Sequence, residues 1–564
     1  TASLSYAALW RRSGDVAAML VNAGVARGDL VGVCLPRRPE LLAGLLGVLR
    51  AGAAYVPLDA AFPAARLSNM IEQSRLRHVL VFDGDGVPPV VRDSGATLHA
   101  LASAPSGADC EWPVVEAADL AYVLFTSGST GTPKGVCVSH GNLANFLLSM
   151  REVPGLAADD VLCAVTTLSF DIAGLELYLP LCVGARVLLA DELQVRDPRE
   201  LARVMREGCA NVLQTTPTLL RLLVDGGDVG AVDGCKLLVG GEALPRDLAN
   251  TVLGRCASLW NLYGPTETTI WSSVARVMPG VGPVPLGRPI AHTRIHVLGE
   301  DGQPVADGEH GEIWIGGRGV AAGYLGRPDL TAERFVSDPF AADGSRMYRT
   351  GDIGSLRDGV LQFHGRADDQ VKLRGFRIEL GDVEAAALAA DPAVFEAVAA
   401  VRRLAEHDAR LVLYVTSRRA DAALPLRLRT ALRETLPPYM RPQHIEVIAH
   451  MPHTPNGKID RNALPQPSAA PARGGMQTRM EYLATLWRDT IGVPEVRPGD
   501  NFFELGGDSL LAVDMMARVE RDTGVRLSVL QVATGTLETL AQQVSRSEPA
   551  RGGFFARLRG AFGR

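Results

Sequence analysis

Residues Thr126–Gly135 read TSGSTGTPKG. Three glycines, the hydroxyls of Thr126, Ser127, Ser129 and Thr130, and the ammonium of Lys134 surround a concavity rich in backbone N–H groups. That composition binds oxyanions and points to a phosphate-bearing substrate. The flanks Leu120–Phe125 (LAYVLF) and Val136–Val138 (VCV) read as buried strands, so the loop is a fixed site rather than a flexible connection. It is not a Walker A loop: the required spacing is absent and Pro133 precedes the lysine.

Upstream, strand-like runs at Leu30–Leu35, Ala54–Leu58 and His78–Phe82 alternate with helical patterns at Tyr6–Asn22, Glu40–Leu49 and Ala64–Gln73. This rhythm predicts an α/β body of parallel sheets covered by helices. Near Arg366 the texture becomes dense in charge and glycine, and a smaller α+β unit follows to about Pro465. Its strand candidates are Leu411–Val415 and Ile445–Ile448, and its helix candidates Ala385–Ala390 and Leu426–Leu436. Pro465–Gly475 (PQPSAAPARGG) is a linker by composition. Helical patterns at Met480–Ile491, Leu510–Arg521 and Leu537–Val544 then predict a small all-α, four-helix-bundle domain. The expected division is 1–367, 368–465, a linker at 466–477, the bundle at 478–547 and a tail at 548–564. In the tail Phe554, Phe555, Leu558 and Phe562 lie among arginines, which reads as a frayed end in preference to a partner-docking or surface-seeking helix.

The net charge of −6, from 57 basic and 63 acidic residues, argues against a nucleic-acid surface. The longest apolar run, Leu41–Leu49, is too short for a bilayer span of about 20 residues, and no signal peptide is visible. The opening TASLSYAAL reads as the interior of a domain whose first segment is missing. Eight scattered cysteines lack metal spacing and read as small buried hydrophobes in a reducing compartment. The expected setting is cytoplasmic, with no membrane and no nucleic acid.

Four further motifs follow the loop in order: NLYGPTETT at Asn261–Thr269, YRTGDI at Tyr348–Ile353, GRADDQVKLRG at Gly365–Gly375 and PNGKIDRNA at Pro455–Ala463. Together they resemble the adenylation domains of nonribosomal peptide synthetases, within the adenylate-forming enzyme superfamily. The resemblance covers nearly the whole chain. It implies an ATP-dependent, AMP- and pyrophosphate-forming ligase. Attack of a carboxylate on the α-phosphorus joins two anions, so cations and a metal must neutralise the approach. The resemblance makes Glu267 the Mg²⁺ ligand and puts Thr266 on the α-phosphate. It makes Lys458 the residue that crosses from the small domain to hold carboxylate and phosphate. Nucleotide contacts are implied for Thr126, Ser127, Gly128, Ser129, Thr130, Gly131, Lys134, Gly241, Glu242, Asn261 and Gly264. Tyr263 offers a face for adenine, Asp352 two acceptors for the ribose, and Arg366 supports Asp352. Asp368 matches the hinge about which the small domain swings.

A buried carboxylate needs a cation. The resemblance pairs Asp171, next to Phe170, with a substrate α-ammonium, which implies an amino acid rather than an aryl or fatty acid. The pocket positions carried over are Asp171, Ile172, Leu175, Gln214, Leu238, Gly240, Leu262, Ile270 and Trp271, closed by Lys458. This set resembles the family's glycine code, and the bulk of Ile172, Leu175, Leu262 and Trp271 agrees with it. Finally, DNFFELGGDSL at Asp500–Leu510 resembles a peptidyl carrier protein, with Ser509 attaching 4′-phosphopantetheine at a helix N-terminus. Implied partners are glycine, a phosphopantetheinyl transferase, neighbouring synthetase domains and an MbtH-like protein. The rival readings are an acyl- or aryl-CoA ligase, which Asp171 opposes, and a catalytically silent carrier scaffold, which Lys458, Glu267 and Asp352 oppose. No HHxxxDG or GxSxG motif occurs.

Overall fold

The computed structural model describes residues 3–546 except 84–85, 105–111, 128–132, 227–228, 369, 374, 406–407, 418–420, 422, 454–458, 468–478, 492, 494 and 508. At 404–405, 408, 462, 489, 509–510, 513–514, 517, 521 and 545–546 it describes the main chain alone. Gly128, Ser129, Thr130, Gly131, Lys458, Cys110 and the arginine–phenylalanine tail therefore lie outside the described residues. The chain forms two compact units, Thr1–Pro465 and Gln466–Arg564.

The first unit is built on two seven-stranded sheets. One runs in the spatial order Gly323–Tyr324, Lys134–Ser139, Leu120–Thr126, Ala54–Pro57, Leu30–Cys34, His78–Val81 and Thr97–Ala100. Its last five strands are parallel, and Leu120–Thr126 turns antiparallel into Lys134–Ser139 through the glycine-rich loop. In the other sheet, Arg186–Leu189, Val161–Ala164, Val212–Thr215, Lys236–Gly240 and Ser258–Tyr263 are parallel and lead into two antiparallel edge strands. These strands are apolar on both faces because helices cover them, as parallel sheets require. The helices Tyr6–Asn22, Pro39–Arg50 and Ala64–Ser74 match the periodicity of the sequence within a residue or two. Ser5 starts the first by accepting from Ala8 N, and Ser139 closes a capping box on helix His140–Met150.

Three features depart from the sequence reading. A five-stranded antiparallel sheet (Thr293–Leu298, Gly311–Gly317, Phe335–Ser337, Arg346–Arg357, Val360–Arg366) follows the parallel ones. In the smaller α+β part, Val394–Ala405 is a strand despite its alanines. Ala397 and Ala399 face one core, Val398 and Ala400 another, and burial on both sides overrides weak β-propensity. Of the cysteines, Cys182 and Cys209 are exposed, which corrects the expectation that all are buried. Cys182 lies in the last turn of a helix, and Cys209 sits in the turn after another at φ 52°.

In the second unit the helices Arg479–Ile491, Ser509–Thr523, Val529–Thr534 and Leu537–Arg546 enclose a core centred on Trp487 and Phe502, edge-to-face at 5.3 Å. Ser528 makes a capping box on the third helix. Gly507 is obligatory, since a Cβ there would lie 2.2 Å from the Phe502 ring.

Candidate active site

The site lies where the carboxyl ends of the second sheet's parallel strands meet a hairpin from the smaller part of the first unit, the switch-point position common in open α/β sheets. Lys236–Gly240 and Ser258–Tyr263 bring up Gly240, Gly241, Asn261, Leu262 and Tyr263. The hairpin, Gln370–Leu373 paired with Phe376–Glu379, enters from the other side. It is anchored three ways. Gly375 N donates to Glu242 Oε1 (2.5 Å), and Ser127 Oγ donates to Arg377 O (3.0 Å). Phe376 lies between Phe170 (6.1 Å) and Tyr439 (4.3 Å, stacked nearly parallel). Thr218 donates its hydroxyl and amide to the other oxygen of Glu242.

Glu267 is wholly buried. Arg377 Nη1 donates to its Oε2 (2.8 Å), Tyr324 OH to its Oε1 (2.8 Å), and Lys134 Nζ stands 3.7 Å away. Burial alone would raise the carboxyl, but Arg377 and Lys134 outweigh it and hold Glu267 at about 2. Burial, with Arg377 adding to it, lowers the Lys134 ammonium to about 8. Asp352 accepts from Tyr263 OH (2.6 Å) and Arg366 Nη1 (2.7 Å), and Arg366 also grips Asp368 (2.6 Å). The Lys372 ammonium lies 5.5 Å over the Tyr263 ring, and burial lowers its pKa. Among the described residues of the site three buried oxygens lack partners, Thr126 Oγ1, Asn261 Oδ1 and Gln370 Oε1, while Asn261 Nδ2 donates to Pro285 O (2.8 Å).

At the other end of the cleft Asp171 is 6% exposed. Burial raises its carboxyl to about 6, against a side-chain hydrogen bond with Thr266. Phe170, Asp171, Ile172, Gly264, Thr266 and Trp271 line the cleft. Leu175, Leu238, Leu262 and Ile270 pack behind them in one hydrophobic cluster. Trp271 lies against Gly240: a Cβ there would stand 2.6 Å from the indole Cη2. Gln214, 0% exposed, accepts from the indole N–H at 3.0 Å. Between Glu267 and Trp271 the backbone is strained, with Thr269 at φ 62° and Ile270 at φ 70°, conformations that β-branched residues rarely adopt. Thr269 Oγ1 holds the turn by donating to Gly319 O (2.7 Å).

Sequence reasoning missed Lys372, Arg377 and Tyr324. The first two lie in or beside the charged GRADDQVKLRG stretch, whose density of cations was the available signal. Tyr324 belongs to a two-residue edge strand and carries none. The described residues hold no cluster of three or more metal-ligating side chains. No helix among them is long and apolar enough to cross a membrane.

The model of AMP-binding enzymes matches residues 1–325. The chain belongs to the AMP-binding enzyme family. The family's C-terminal domain matches 382–458, and a phosphopantetheine attachment site matches 481–544. The chain is therefore an ATP-dependent adenylating ligase with a carrier domain in the same polypeptide. It is 42% identical to a dimodular nonribosomal peptide synthase of Bacillus subtilis (strain 168), over 94% of this chain and 22% of that protein. It is 38% identical to a linear gramicidin synthase polypeptide of Brevibacillus parabrevis, over 93% of this chain and 10% of that one. This AMP-binding enzyme thus spans only a minor part of those curated relatives.

Among solved structures, a holo nonribosomal peptide synthetase protein with adenylation and carrier domains, bound to a vinylsulfonamide inhibitor, superposes with a TM-score of 0.81. It is 28% identical, over 96% of this chain and 92% of that one. A four-domain holo nonribosomal peptide synthetase bound to AMP and glycine gives a TM-score of 0.61 at 37% identity, over 97% and 41% of the two chains.

Proposed function

We propose that the chain activates glycine with ATP as glycyl-AMP and passes the glycyl group to a thiol on Ser509, as one adenylation–carrier step of nonribosomal peptide synthesis. The observation that carries the substrate is the seating of Trp271 against Gly240. It leaves Asp171 to meet an α-ammonium while removing room for a side chain. A buried aspartate raised to about 6 is costly without a cation, which favours an amino acid over an aryl or fatty acid. The four-domain neighbour whose structure holds AMP and glycine supports the same choice.

In this reading a glycine carboxylate oxygen attacks the α-phosphorus of ATP and pyrophosphate leaves. Asp171 holds the ammonium, Thr266 meets the α-phosphate, Asp352 takes the ribose hydroxyls with Arg366 behind it, and Lys134 faces the phosphates. The free Oδ1 of Asn261 fits an adenine amino group, and the Thr126 hydroxyl fits as a donor to a phosphate oxygen. One buried, ionised carboxylate at Glu267 suits Mg²⁺, which binds one or two carboxylates together with substrate phosphates. Ser509 opens the helix Ser509–Thr523, whose N-terminal dipole suits a phosphodiester. When bound, Mg²⁺ neutralises phosphate charge and 4′-phosphopantetheine supplies the accepting thiol. Lys458 bridges carboxylate and phosphate during adenylation, and Asp368 is the hinge that lets the small domain withdraw it. A phosphopantetheinyl transferase, neighbouring synthetase domains and an MbtH-like protein are the proposed partners, in the cytoplasm.

The test is ATP–pyrophosphate exchange across a panel of amino acids. Glycine should lead, with alanine next. Leadership by an aromatic or branched amino acid would refute the pocket reading. Ser509→Ala should leave exchange near normal while abolishing both mass increments seen after treatment with transferase, ATP and glycine.

A further inference from the structure

Beneath the pocket floor a line of buried hydrogen bonds ends on a residue outside the pocket. Trp271 donates its indole N–H to Gln214 Oε1 at 3.0 Å. Both amide hydrogens of Gln214 are also engaged, one by Ile172 O at 2.7 Å and the other by Glu176 Oε1 at 3.1 Å. Glu176 lies in the first turn of helix Ala173–Val183 and has no exposed surface. Its carboxylate also accepts from Val165 N and Thr166 N (2.9 Å each) and from Thr166 Oγ1 (2.6 Å).

A glutamine amide has one acceptor oxygen and two donor hydrogens, so Gln214 is fully used in this orientation. Turned over, it would aim an NH₂ group at the indole N–H and its oxygen at Ile172 O and the Glu176 carboxylate. Those clashes of like polarity, away from water, each cost a buried hydrogen bond and more. A carboxylate surrounded by donors can only accept, so Glu176, together with Ile172 O, holds the amide facing this way. The amide in turn decides where the indole sits.

We propose that Glu176 is a specificity-positioning residue: through Gln214 it locks Trp271 against Gly240 and so sets the side-chain volume that the amino-acid pocket admits. This deepens the proposed small-amino-acid pocket and rests on it.

Glu176→Gln keeps the volume but introduces an NH₂ group, so one link loses its acceptor. Pyrophosphate exchange with glycine, alanine and serine is measured for the unsubstituted chain, Glu176→Gln, Trp271→Phe and the double variant. The alanine-to-glycine ratio of kcat/KM should rise about tenfold in Glu176→Gln, the scale of one buried hydrogen bond. It should rise no further when Glu176→Gln is added to Trp271→Phe, which has no indole N–H left to lock. A purely structural Glu176 would lower Tm and slow every substrate alike, and an unchanged ratio overturns the proposal, as would additive effects. Should Glu176→Gln not fold, Glu176→Asp keeps the charge but falls short of Gln214, and it faces the same ratio test. The Trp271 indole N–H resonance, assigned by its loss in Trp271→Phe, should move upfield in either Glu176 variant, and a fixed resonance counts against the lock. If the unsubstituted chain prefers a side chain larger than alanine, the glycine reading fails on its own. The lock is then judged by whether Glu176→Gln shifts that ranking further toward bulk.

Discussion

At the amino-acid end of the cleft, Trp271, Gln214 and Glu176 satisfy one another's hydrogen bonds and close the space beside Gly240. At the end lined by Asp352, Arg366 and Arg377, charges stand in opposed pairs with Glu267 and Lys134 behind them, and Thr126 Oγ1 and Asn261 Oδ1 are left buried without partners. In the proposed function one end selects by volume, which is fixed before any ligand arrives. The other selects by charge and by hydrogen bonds that only a ligand completes. Volume discriminates weakly per methylene, whereas an unmet buried polar group discriminates strongly. The chemistry should therefore be most sensitive at the charged end and the substrate ranking most malleable at the closed end.

The largest effect is expected from breaking the charged end. Glu267→Gln and Lys458→Ala should each lower the kcat of pyrophosphate exchange by about 10²–10³, the scale for losing a charge-stabilising group at a transition state. Retention of exchange in either variant would detach that residue from the chemistry. Next comes the carboxylate that lines the cleft at the closed end. Asp171→Ala should raise the glycine KM at least about tenfold and leave the ATP KM within about twofold. In the intact enzyme the Asp171 carboxyl, raised to about 6 by burial, is ionised above that pH and protonated below it. The glycine KM should accordingly climb as pH falls through 6, and glycine should raise Tm more at pH 7 than at pH 5. A glycine KM flat from pH 5 to 8 would deny the ammonium contact.

Volume comes third. Trp271→Ala should admit alanine and serine, shifting their kcat/KM relative to glycine by about 10–100-fold, equivalent to ~1–3 kcal/mol. An unaltered ranking would show that Trp271 does not bound the pocket. The smallest change is expected at Asn261→Leu, where loss of the free acceptor, along with the donor to Pro285 O, should raise the ATP KM about three- to tenfold with the glycine KM unmoved. Equal effects on both substrates would erase the contrast between the ends.

Much of this contrast was legible along the chain. The β-α rhythm located the parallel sheets, because strands buried on both faces must be apolar throughout. The motifs carrying Asp171, Glu267 and Asp352 stood out by their resemblance to those of the family. Arg377 and Lys372 did not, because their place depends on how a hairpin of the smaller part folds back over the core, a tertiary fact with no local period. Glu176 was equally hidden: its acceptor role appears only once Gln214, some forty positions away in the sheet, is set beside it. The strand Val394–Ala405 was missed for the converse reason, since its alanines suit a helix until two cores claim its two faces.

The left-handed pair Thr269–Ile270 has a consequence for redesign. Together with Thr268 these residues join Glu267 to the indole at 271, so a shift in their backbone moves the carboxylate proposed to hold the metal and the proposed substrate wall together. Enlarging the pocket by altering 268–270 would carry a penalty in turnover that changes at 172, 214 or 240 avoid. A library built to accept new monomers should hold this turn constant and vary the sheet side of the cavity instead.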